Sequence, residues 1–210
     1  MQVHEVTREF ARSTYAQVLA DVPQTLFGYW AQNSQQKFPG IPRDASFFAQ
    51  AAEGLMMFFD CAAATRQTCA LPSRAADSVW HAWIRQDEGG LHRLCIRHFG
   101  KIIPHAETTP MALAVCLVQA RRRASQPVGG PHLPRLFSLD AQLGMPHGFG
   151  YGLVGGMVGY TILDALGDAG SEIRFLHELS ARGLLGAGLI GKNDYRRATG
   201  KEAPESVIVP

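Results

Sequence analysis

The sequence predicts a mostly α-helical protein, with a helical bundle-like domain followed by a Gly-rich, partly helical C-terminal part. Three observations lead there. Apolar residues recur at helical spacing in most segments before residue 124. Residues suited to capping and stopping helices stand at the ends of those segments. Strand-like alternation is weak anywhere before residue 200.

The elements follow in order. Residues 4–22 read as one helix, with Val6, Phe10, Val18, Leu19 and Val22 on one side and Glu5, Arg8, Glu9 and Arg12 elsewhere. Pro23 breaks it. Residues 24–34 read as a shorter helix carrying Leu26, Phe27 and Trp30, and the run KFPGIPRDAS reads as a loop. Asp44 or Ser46 caps a strongly apolar helix that runs to about Ala64. Phe47, Phe48, Ala51, Leu55, Phe58, Phe59 and Ala62 recur along it, which makes it the expected centre of the core. Ser73 caps the next helix, whose apolar face holds Ala76, Val79, Trp80, Trp83 and Ile84. Gly89-Gly90 reads as its end, and Leu91, Leu94, Cys95, His98 and Phe99 as the face of a second helix stopped by Gly100. Those two helices are expected to pack as an antiparallel pair. Thr109 and Pro110 start another helix, buried on Leu113, Cys116, Leu117 and Ala120. It ends in Arg121, Arg122 and Arg123, read as a solvated helix end.

The composition then shifts. The expected division is a helical domain over 1–124, a linker or long loop over 125–140, and a Gly-rich region over 141–210. That last region should hold one amphipathic helix, residues 171–182, and a terminal SVIVP that reads as a short strand or docked terminus. Glycines four apart in GFGYGLVGGMVGYTIL, residues 148–163, suggest tight helix packing or a glycine-rich loop. Membrane contact through residues 144–166, or self-association through the same segment, are the alternatives.

A chain of 210 residues can bury a sizeable core. A net charge of +2 gives no electrostatic footprint for nucleic acid. Cys61, Cys69, Cys95 and Cys116 include no CxxC pair, and the first residues lack the apolar stretch of a signal peptide. The expectation is a cytoplasmic chain with free thiols, with peripheral membrane association left open. The glycines Gly186, Gly188 and Gly191 match GxGxxG, but a helical pattern precedes them where a dinucleotide site needs a strand.

Chemistry concentrates in residues 71–105. Asp77 and His81 are four apart and share one side of a helix. Cys95 and His98 project from the apolar side of the next helix, His105 follows it, and His92 should face outward. Three readings fit. Asp77, His81, Cys95 and His105, with or without His98, could close around a divalent metal such as zinc. They could form a buried hydrogen-bond network. Cys95 could be a nucleophile activated by a histidine. Trp80 and Phe99 supply the supporting packing.

Pro72, Ser73, Asp77, Trp80, His81, Cys95, Phe99, Gly100 and His105 stand in an order that resembles the glycine-rich domain-containing-protein-like family. That family is a domain of unknown function with a PS…D-x2-WH…C…FG…H signature, and the resemblance covers about residues 45–120. It implies a shared polar site without an established reaction. Trp83, Leu91 and Leu94 depart from it, standing where the family carries a second histidine, a tyrosine and an acidic residue. The leading expectation is a non-catalytic binding or interaction domain around a structural site, its partner an unidentified protein or a second copy. A metal- or thiol-dependent enzyme and a membrane-associated protein are the alternatives.

Overall fold

The computed structural model describes residues 2–204. Among them are nine α-helices and one three-stranded antiparallel sheet, so the chain is helix-rich but not purely helical. The terminal SVIVP lies outside the described residues.

The helix expected over 4–22 is broken into α1 (Gln2–Phe10) and α2 (Ala16–Leu19). Ser13 makes the break: its hydroxyl accepts from the Tyr15 N–H at 3.0 Å and donates to Glu53 at 2.6 Å. A short polar side chain that bonds nearby backbone competes with helix continuation. Helix α3 (Gln24–Asn33) follows, and then α4 (Ala45–Ala63). The Asp44 carboxylate caps α4 by accepting from the Phe47 N–H at 2.9 Å. Fourteen of its nineteen residues are buried, so it is enclosed on more than one side and forms the centre of the core.

Helix α5 (Arg74–Phe99) is two helical stretches joined at Asp87, whose φ of −158° and ψ of 79° are not helical. The rings of Trp80 and Phe99 both pack against Phe59, at centroid distances of 5.2 and 5.8 Å. Nineteen residues of straight helix would hold those two positions about 28 Å apart. The chain therefore bends back on itself, and the expected pair forms. Its turn is Asp87 rather than Gly89-Gly90. The Asp87 carboxylate accepts from the Gly90 N–H at 2.8 Å. A Cβ at Gly90 would meet the same carboxylate at 2.0 Å, so a larger residue would displace that cap.

Helix α6 (Pro110–Arg123) starts at the Thr109 cap and packs on α4. Of the three arginines at its end, Arg122 and Arg123 are exposed as expected and Arg121 is not. Arg121 is 2% exposed, and its guanidinium donates to the carbonyls of Val128 (2.7 Å), Gly130 (2.7 Å) and His132 (3.2 Å). Burial pulls its pKa down to about 10. Arg123 pairs with Asp60 at 3.0 Å. The stretch expected to be a linker is thus tied to α6, and it contains the start of α7 (Arg135–Leu143). One continuous cluster of buried residues runs from Val6 to Ile190, so residues 124 and 141 do not divide the core.

The glycine-rich segment is a β-hairpin, not helix or loop. Strand β1 (Phe149–Val154) pairs with β2 (Met157–Ile162), and β2 pairs with β3 (Arg174–Leu176). Gly155 and Gly156 turn the hairpin with φ of 59° and 81°, the paired left-handed conformation of a two-residue type I′ turn. Tyr151 faces Tyr160 across the ladder and packs on Phe137 of α7 at 5.2 Å. Gly150, Gly152 and Gly159 alternate onto the other side. The glycine spacing therefore serves strand pairing, and the small-residue pattern has no helix to act on. The amphipathic helix expected over 171–182 is replaced by β3, a 3-10 turn at His177–Leu179 and α8 (Ala181–Gly186). Phe175 of β3 pairs opposite Gly159, where a Cβ would come within 2.9 Å of Ile173, so the glycine lets β3 pack closely on β2. Helix α9 (Lys192–Thr199) follows. The GxGxxG match spans the end of α8 and the start of α9, with a helix rather than a strand leading into it. Among the described residues no helix is long and apolar enough to cross a membrane.

Candidate metal centre

The site is built on the first turns of α5, and these are held from below by a residue the sequence reading did not single out. Asp140 on α7 is 1% exposed. Its carboxylate accepts from the Ser73 hydroxyl (2.7 Å), the N–H groups of Arg74 (2.9 Å) and Ala75 (3.0 Å), and the Phe149 N–H (2.9 Å). Ser73 also accepts from the Ala76 N–H at 3.1 Å, as its place at the cap implies. Burial pushes the Asp140 pKa up, and the four donors oppose that by favouring the charged form. One carboxylate thereby anchors the start of α5 to α7 and to β1.

From that fixed start, Asp77 and His81 project on one side. Asp77 Oδ1 accepts from His105 Nε2 at 2.8 Å, and Asp77 Oδ2 stands 3.5 Å from His81 Nε2. The two imidazole rings lie 4.8 Å apart, centroid to centroid. His105 packs on the Trp80 ring at 4.4 Å, and Trp80 leans on Phe58 and Phe59 of α4. Phe99 closes the same aromatic group. Trp80 and Phe99 thus supply the packing expected of them.

Asp77 and His81 are half-buried and His105 is exposed, so the centre opens on the surface. Phe38 borders it, 6.2 Å from the His81 ring. The Lys37 ammonium contacts His81 Nε2 directly. The His81 pKa is pulled below its ordinary value, first by burial. The positive charges of Lys37, His105 and Arg85 add to this, and Asp77 opposes it. His81 is therefore a neutral imidazole at neutral pH, with a lone pair to offer.

Three of the four expected ligands come together. One ligand atom each from Asp77, His81 and His105 lies within 4.8 Å of the others. Cys95 does not join them, which corrects the four-ligand reading. It lies on the core side of α5 with Leu91 and Leu94 and is 1% exposed. Burial pushes its thiol up to about 11, although the Ile103 backbone N–H faces the sulfur. A thiol so held stays protonated at neutral pH, the less reactive form. His98 is elsewhere, paired with Asp21 at 2.8 Å. His92 is only partly exposed, with Glu88 at 4.0 Å.

Carboxylate and imidazole are both competent ligands for zinc-like ions. Bonds of about 2.0–2.1 Å in tetrahedral geometry place ligand atoms about 3.4 Å apart. His105 Nε2 stands 2.8 Å from Asp77 Oδ1 and His81 Nε2 3.5 Å from Asp77 Oδ2, while one ligand atom from each of the three residues lies within 4.8 Å of the others, so small side-chain shifts would bring the three onto one ion. Within the trio, His105 is hydrogen-bonded to Asp77, while His81 Nε2 faces the Lys37 ammonium. Lys37 escaped the sequence reading because it lies in a loop, with no helical spacing to tie it to His81. Compared with known proteins, the chain matches no family model, no curated sequence and no solved structure.

Proposed function

We propose that the protein is a binding domain that holds a divalent transition metal such as zinc at Asp77, His81 and His105. At least one coordination position would face outward to a ligand or partner. The observation that carries this reading is the convergence of one carboxylate and two imidazoles within 4.8 Å on the open side of the fold. Three protein ligands is the number found in open zinc sites, whereas closed structural sites use four. The lone pair on His81 supports it, since a metal binds the neutral ring. The Lys37 ammonium contacts His81 Nε2, and its flexible stem would let it withdraw when a metal enters. The resemblance carried by Asp77, His81 and His105 to the glycine-rich domain-containing-protein-like family accords with a site at these positions and adds no reaction.

Calorimetric titration of untagged, chelator-treated protein with zinc tests the proposal. One equivalent should bind, and His105→Ala should abolish saturation in the same range. Absence of binding by the unaltered protein, or unchanged binding by His105→Ala, would contradict it. A second reading, a metal-dependent enzyme, is favoured by the open position, where a bound water would be acidified.

A further inference from the structure

We propose that the outer face of this centre receives a small oxyanion, a carboxylate or phosphate group, which binds the metal and is clasped by Lys37 and Arg74. This rests on the metal-binding reading above and names the ligand that completes it.

Asp77 is the only anionic group among the three metal ligands. Lys37 and Arg74 both stand over the Phe38 ring, with Nζ at 5.7 Å and the guanidinium carbon at 5.5 Å from its centroid. That ring borders His81, and the charge of Arg85 also reaches His81. Adding a divalent ion to Asp77, Lys37 and Arg74 leaves an excess of about three positive charges on a partly buried surface. Like charges in such a place need a counter-charge or are strongly disfavoured. Neither Lys37 nor Arg74 has a carboxylate partner among the ion pairs of the described residues.

Arg74 Nε is buried and has no hydrogen-bond partner among the described residues. A buried donor left unpaired is costly, and a guanidinium presents its donors in a fork that matches an oxyanion. The backbone of Arg74 is pinned by Asp140, so its side chain leaves from a fixed point beside Asp77. Lys37 contacts His81 now and would turn to the anion once the metal takes its place.

Cobalt replaces zinc as a coloured probe. Protein loaded with one equivalent of Co2+ and freed of excess metal is titrated separately with inorganic phosphate and with acetate, followed by visible absorption. At least one titration should shift the cobalt band and saturate, and the stronger identifies the oxyanion class. Lys37→Met and Arg74→Gln should each weaken that binding by about tenfold or more, with the circular dichroism spectrum unchanged. Lys37→Met should bind cobalt as tightly as the unaltered protein or more tightly. A cobalt band that neither anion shifts would overturn the inference and leave the metal site standing. Equal loss of cobalt and anion affinity in Lys37→Met would also overturn it, since that marks a disturbed fold. Absence of cobalt binding in the unaltered protein would overturn the metal reading and this inference together.

Discussion

Asp77 and Asp140 both serve α5, and they are held in opposite ways. Asp140 sits in the interior with four donors on two oxygens, three of them from the start of α5 and one from β1. Asp77 lies at the surface between two imidazoles, with one short bond and one longer approach. A buried carboxylate whose oxygens are all engaged has no capacity for a new partner, and removing it strands every donor around it. A half-exposed carboxylate beside the neutral His81 imidazole can exchange its hydrogen bonds for a metal at small cost. The first position organises the fold, and the second is where a ligand can be admitted.

The largest effect should come from the buried side. Asp140→Ala is expected to destabilise the protein by about 3–5 kcal/mol, read from urea unfolding. Asp77→Ala in the metal-free protein should cost no more than about 1 kcal/mol. Equal costs at the two positions would erase the distinction. Next in size is metal affinity. Asp77→Ala should weaken zinc binding by about a hundredfold or more, roughly 2.7 kcal/mol. Cys95→Ala should leave zinc binding within a few-fold once its stability loss is allowed for, because its sulfur faces the core. Smaller still, Lys37→Met should tighten zinc binding by about five- to tenfold, since it removes a like charge beside His81.

The smallest effect is a pH dependence. The folded-state pKa of His81 is below the unfolded value of 6.5. Between those two values the unfolded chain binds more protons, so stability rises with pH there. The contribution is complete above about pH 6.5 and is lost as pH falls through the folded-state pKa. Thermal unfolding of the metal-free protein between pH 5 and 7.5 should show this slope, and His81→Gln should flatten it. A steeper slope in the variant would count against the assignment.

How much of this could be read in the chain follows from how far apart the interacting residues are. The caps at Asp44, Ser73 and Thr109, the stop at Gly100 and the neighbouring Asp77 and His81 are local, and all stand as expected. His105 was within reach because it closes the same helical pair. Asp140 was not, since its partners on α5 are 65 to 67 residues away and no local pattern marks it. Arg121 was misread because its neighbours made it resemble an exposed basic helix end. Its true partners are carbonyls of a loop whose path depends on the folded chain. The hairpin was legible in principle. Gly155-Gly156 lies between alternating large residues, Tyr151 and Leu153 on one side and Val158 and Tyr160 on the other. The glycines at every fourth position drew the reading toward helix packing instead. Cys95 was placed on the correct face of its helix, but that face turns inward, away from Asp77.

X-ray absorption spectroscopy of the zinc-loaded protein tests the central claim most directly. The metal should be surrounded by nitrogen and oxygen alone at about 2.0–2.1 Å, with the outer scattering of two imidazole rings. A sulfur at about 2.3 Å, or a spectrum without imidazole, would contradict a centre made of Asp77, His81 and His105.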